Sequence, residues 1–238
     1  MTARLVAVDD SNYRLPAKVR NTIATDAGDT SSELGRAIED HWGRGISVKA
    51  FGAKGDGSTD DSAAIVAAEA AANAIGSSLW FPAGVYSTKR FQTRVTLRGD
   101  QSTVRLRESS SVLVEVVASN VTIENMIVDG NELARGSVID WATGSANGRI
   151  INCELRGVDG TGTVTLLRVR GGCDRMAIED NWLHGAKSTT IGRGILVSSQ
   201  DGSGTVIGMR IRGNLIEDID RLRTVMASSS RTSRIPWT

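Results

Sequence analysis

The sequence predicts an all-β solenoid, a chain wound into stacked coils of parallel strands, with one α-helix near the start of the coil. Three observations predict it. First, "VTLRGD", "VTIENMIVDG", "RIINCELRG", "MAIEDNWLHG" and "MRIRGNLIED" align so that Leu97, Ile123, Ile150, Ile178 and Ile211 fall in one column, separated by 26, 27, 28 and 33 residues. A second column, Leu113, Ile139, Leu166 and Leu196 from "VLVEV", "VIDWA", "LLRVR" and "ILVSS", has separations of 26, 27 and 30. Near-constant periods whose slack is absorbed in turns are the mark of a solenoid. Second, the repeated cores alternate apolar and polar with period two over segments too short for helices, so each repeat is a turn of strands. Third, 26 Gly, 3 Pro and 4% aromatics suit a chain of tight turns and small side chains. About five coils at ~4.8 Å each make a rod ~24 Å long.

Residues 1–45 stand apart. Leu34, Ala37, Ile38 and Trp42 recur at helical spacing with Ser31 or Ser32 placed to cap. The "WGRGI" stretch then reads as a hinge. We take residues 1–45 as an N-terminal attachment module, 46–220 as the solenoid and 221–238 as an irregular tail.

The solenoid opens on "AKGDGSTDD", residues 53–61. An EF-hand loop begun at Asp56 needs Gly at its sixth position and Glu at its twelfth, where this chain has Asp61 and Ala67. A phosphate loop needs Gly-Lys-Ser/Thr, but Lys54 precedes Gly55. The stretch therefore reads as architecture and calls for no metal or cofactor. Gly55 and Gly57 supply positive-φ turns, and Asp56, Asp60 and Asp61 serve the turn and, with Ser58 or Thr59, the helix cap. The helix, "DSAAIVAAEAAANAIG", buries Ile65, Ala68, Ala72 and Ile75 on one face and stops at Gly76. Strands "SLWF" and "VYS" follow around the turn Pro82-Ala83-Gly84. In the coils beyond, Asn125 and Asn152 share one place, with Asp180-Asn181 and Gly213-Asn214 at or beside it. That is a turn position tolerant of left-handed backbone, with a partial amide ladder.

Charge and cysteine usage exclude several classes. Lys plus Arg number 28 against 27 Asp plus Glu, a formal net charge of +1 that provides no field for nucleic acid. No apolar run approaches ~20 residues, so no membrane insertion is expected, and the N-terminus shows no signal-peptide core. Cys153 and Cys173 form no framework and read as buried thiols.

If the Ile column points inward, alternation sends Asp129, Arg156, His184 and Glu217 outward in one row and Ile127, Glu154, Trp182 and Leu215 in the next. Trp182 can offer a face to a sugar ring. Glu154 can protonate a glycosidic oxygen if a second acid lies ~5–9.5 Å away. The candidate glycan-contacting residues are therefore Asp129, Glu154, Arg156, Trp182, His184 and Glu217, and the competing reading is an ordinary surface charge ladder. No catalytic residue is assigned.

"FGAKGDGSTDDSAAI…LWFPAGVYS" followed by "VTIENMIVDG"-type coils resembles the front of pectate-lyase-like, single-stranded right-handed parallel β-helix proteins, a superfamily that includes many phage tailspikes. The resemblance spans about residues 46–220. It implies that the Gly-Asp-Gly segment leads into a helix capping the coil, and that Phe-Pro-x-Gly-x-Tyr begins the first turn. The signatures of pectin-degrading members, Gly-His-Gly, a coil Asn-x-Asp and an Arg-x-Lys strand, do not occur. Residues 1–45 resemble, more loosely, the opening of phage minor tail proteins. The resemblance implies a virion tail protein, made in the host cytoplasm, that binds and in some members cleaves a bacterial surface polysaccharide. It also implies a homotrimer bound to other tail proteins. A non-viral polysaccharide lyase or hydrolase and a purely structural tail subunit are the alternatives.

Overall fold

The computed structural model describes residues 45–198 and 205–220. The proposed attachment module, up to residue 44, and the tail from 221 lie outside the described residues. All paired strands are parallel, as a solenoid demands, and each coil contributes to three faces. On the first face the predicted column is realised in register, Leu97 to Ile123 to Ile150 to Ile178 to Ile211. Ile46 and Leu79 extend it toward the N-terminus. The second face carries its own inward column, Tyr86, Val104, Val128, Leu155, Leu183 and Ile216. Up to their last rung, these two columns and the third face fill one continuous apolar core.

Two parts of the expected core are corrected. Ile211 is in register but 48% exposed, as is much of Ile216, because it occupies the last rung of the described coil. The third-face column is also shifted: Ile139 pairs with Val114 and Leu167, while Leu196 pairs with Arg168. Leu113 and Leu166 are nevertheless fully buried beside Val114 and Leu167. A Cβ added at Gly194, which follows Arg193 and precedes Ile195 opposite Leu166, would meet the Ile216 side chain of the second face at 2.6 Å. That column therefore also points inward. The strand thus presents consecutive residues to the core.

Helix α1 (Ser62–Ala74) closes the N-terminal end, burying Ile65, Ala68 and Ala72. Ile75 is exposed, contrary to expectation, because the helix has already ended; Gly76 follows with φ +67°. Glu69 is buried in its place and accepts a hydrogen bond from Arg94 N at 2.8 Å, which satisfies a backbone donor under the helix.

The Gly-Asp-Gly stretch explains this docking. Gly55 and Gly57 have φ of +64° and +78°, and a Cβ on Gly55 would lie 2.9 Å from the Tyr86 ring. Asp56 accepts from the backbone N of Ser58 (2.9 Å) and Thr59 (2.8 Å) and from both hydroxyls. Ser58 and Thr59 thus serve Asp56 and not the helix. Asp60 accepts from Ser62 N at 3.0 Å, the first helical amide. Asp61 is buried and turns back to accept from Lys54 N (2.7 Å) and Gly55 N (3.2 Å), so its side chain makes no helix-cap bond.

Candidate functional site

Between the first and second faces the chain turns a corner in left-handed backbone at Asn125 (φ +57°), Asn152 (+51°), Asp180 (+55°) and Gly213 (+66°). Asn152 Nδ2 donates to Asn125 Oδ1 at 3.5 Å. The neighbouring amides work inside the coil: Asn181 accepts from Cys153 N and donates to Ile150 O, and Asn214 repeats the donation to Ile178 O. These bonds fix where the second-face strands begin, and hence which side chains emerge.

The strands that emerge place the two predicted outward rows in register. Arg156 lies between Asp129 and His184, and Glu154 between Ile127 and Trp182, whose next neighbour is Leu215. The structure joins all six candidate residues in one chain of contacts. Asp129 Oδ2 accepts from Arg105 Nε (3.2 Å) and Arg156 Nη2 (3.1 Å), and its other oxygen accepts from Asn131 N (2.7 Å). Arg156 Nη1 donates to Glu154 Oε1 at 2.6 Å. The same oxygen lies 3.0 Å from His184 Nε2, which donates when that nitrogen holds the proton. His184 stacks on Trp182 with ring centroids 4.1 Å apart, and Trp182 Nε1 donates to Glu217 Oε1 at 2.9 Å.

The electrostatics of this row are closed. Two guanidiniums, Arg105 and Arg156, meet two carboxylates, Asp129 and Glu154. Burial alone would lower the Arg156 guanidinium, but Asp129 and Glu154 outweigh it and hold it above the ordinary arginine value. Asp129 is nearly fully buried, and Gly157 is left-handed and crosses close to it: a Cβ there would lie 2.8 Å from Asp129 Oδ1. What remains open is Trp182, with Leu215 and Glu217 on the next coil. Trp182 is 42% exposed, with its ring held at two points.

Beside this row lies an open groove of ≈ 690 Å³, lined by the corner residues Gly99 to Gln101, Asn125, Asn152 and Asp180 together with Glu154 and Trp182. Only Glu154 and Trp182 of the six candidates reach it; Asp129, Arg156, His184 and Glu217 lie farther along the face. Sequence reasoning read Asp180 only as a turn residue and missed Asp100 and Arg105. Arg105 was findable, since it precedes Asp129 by 24 residues at the same alternation. Asp100 was not, because Gly99 to Gln101 is a corner insertion between paired Arg98 and Ser102 that breaks the period.

Fold and site together define a right-handed parallel β-helix with a carboxylate, guanidinium and indole row on one flank. The chain belongs to the rhamnogalacturonase A/epimerase, pectate lyase-like family, whose model matches residues 45–205. Solved structures share the fold. The A-module of the Azotobacter vinelandii mannuronan C-5 epimerase AlgE6 is 21% identical, with a TM-score of 0.47, over 65% of this chain and 57% of that one. ORF18 of Geobacillus virus E2 is 18% identical, with a TM-score of 0.43, over 80% and 44%. The N-terminal fragment of bacteriophage Phi29 gene product 12 is 17% identical, with a TM-score of 0.42, over 77% and 45%. The chain thus spans 57% or less of these three structures. No curated protein matches it.

Proposed function

We propose that the chain is a phage tail spike or fibre component whose second face binds a bacterial surface polysaccharide. The observation that carries the binding reading is Trp182: an exposed indole, stacked on His184, tethered to Glu217 and set at the rim of an open groove. A ring already held in place loses little freedom on meeting a sugar face, so its contact energy is retained. The virion assignment is supported by residues 1–45, which resemble, more loosely, the opening of phage minor tail proteins. Purified protein is expected to bind a host capsule or teichoic polymer in a glycan screen, and Trp182→Ala to weaken that binding by about tenfold, near 1.4 kcal/mol. Unchanged binding by Trp182→Ala would remove the site from this reading.

Cleavage is a second reading, favoured by three carboxylates, Asp100, Glu154 and Asp180, around the same groove. Glu154→Gln is then expected to abolish release of new chain ends while Trp182-dependent binding persists. As for assembly, three parallel β-helices around one axis, one from each chain, would bring three attachment modules to one point. Light scattering is expected to give three times the 25.3 kDa chain mass.

A further inference from the structure

We infer that the outer edge of the first face, at Arg149, Arg210 and Arg212, binds an acidic glycan whose charge is carried by carboxylate or phosphate. Glu179 is 3% exposed, and three guanidiniums converge on it: Arg212 Nε at 2.9 Å, Arg210 Nη1 at 3.5 Å and Arg149 Nη2 at 3.7 Å. Among the described residues it is the only acid within ion-pair distance of these three. One negative charge thus faces three positive ones. The other two faces differ. On the second face two guanidiniums meet two carboxylates, and on the third Arg90, Arg168 and Arg170 meet Glu115 and Asp140. The excess of guanidiniums over carboxylates is therefore two in this cluster, against none in the second-face cluster and one in the third.

The arrangement is also ordered. Arg149 and Arg210 stand two rungs apart in register, with only the small Ala177 between them, a spacing of about 9.6 Å at ~4.8 Å per rung. Their side chains are 53% and 65% exposed, while Arg212 makes the short contact to Glu179. Two open planar forks aligned along a rod match the repeating charges of a polymer, and arginine pairs with carboxylate or phosphate through two parallel donors. A patch of three arginines on a nearly neutral protein fits the single charged strand of an acidic glycan better than the paired charged strands of a nucleic-acid duplex.

The test is binding of the full-length protein to polygalacturonate, poly(glycerol phosphate), neutral dextran and a DNA duplex. At about 50 mM salt one or both acidic polymers are expected to bind and dextran not to bind, with at least about tenfold loss at about 300 mM. Which acidic polymer binds identifies the charged group. R149Q/R210Q, which leaves Arg212 on Glu179, is expected to weaken binding about tenfold, and R210E at its exposed position to do at least as much should the double variant not fold. R90Q, on the third face, is expected to leave this binding intact, which assigns the binding to the first face. Failure of both acidic polymers to bind, indifference to both sets of substitutions, or tighter capture of the duplex would each overturn the inference.

Discussion

Trp182 Nε1 donates to Glu217 Oε1 at 2.9 Å, so the exposed indole of one coil is anchored by a carboxylate of the next. The last described coil therefore completes the site. Glu217→Ala removes the tether and leaves only the His184 stack to hold the ring. Glycan binding is expected to weaken by a few-fold, less than in Trp182→Ala, with the melting temperature within about 2 °C of the parent because the pair is exposed. Loss equal to that of Trp182→Ala would mean that Glu217 touches the glycan itself.

The acids of the opening stretch should separate by burial. Asp61 is 1% exposed and accepts two backbone N–H groups, so Asp61→Ala orphans both inside the helix–coil junction. A cost of about 3 kcal/mol or more is expected. Asp60 serves one helical amide from a partly exposed position, and Asp60→Ala is expected to cost about 1 kcal/mol. Denaturant titration of the two variants checks the order, and an equal cost would contradict the burial argument.

Asp56 predicts a pH dependence. The Thr59 amide and hydroxyl and the Ser58 amide hold its carboxyl well below the usual carboxylate range. With its folded-state value depressed, the stability it contributes is fully present above the unfolded value of about 3.9 and lost as pH falls further toward the folded value. Melting temperatures measured from about pH 5 down to pH 2.5 should fall less steeply for Asp56→Asn than for the parent. Parallel curves would show that the turn does not depend on the charge.

The parts of this fold that were legible in the sequence are those where one residue in two faces the core. The Leu97 to Ile211 column and the outward rows through Arg156 and Glu154 followed from alternation plus a period of 26 to 28 residues over most of the coil. On the third face parity fails: "VLV" and "LL" bury consecutive residues, so nothing in the apolar pattern distinguishes Leu113 from Val114. A second left-handed corner, Asn120, Asn147, Arg175 and Gly208, was equally hidden, because Arg175 is not a residue type that marks left-handed backbone. It is held by side chains, Asn147 Nδ2 to Asn120 Oδ1 at 3.0 Å and Arg175 Nε to Asn147 Oδ1 at 2.6 Å. The groove was unreadable for a related reason: one of its walls is the corner insertion Gly99 to Gln101, which lies outside the repeat.

Position along the rod should decide how a core substitution behaves. Ile150 is 1% exposed and lies in register between Ile123 and Ile178, both fully buried. A carboxylate there has aliphatic neighbours on the rungs above and below, and the desolvation cost exceeds the few kcal/mol that a domain has in reserve. Ile150→Asp is expected to yield no cooperative melt and no soluble β-rich protein. Ile211 belongs to the same column but is 48% exposed, so Ile211→Ser forfeits only part of a transfer term and is expected to cost about 1 kcal/mol. A soluble Ile150→Asp protein that melts cooperatively would disprove the register. An Ile211→Ser protein as damaged as Ile150→Asp would show instead that further chain covers the last rung in solution.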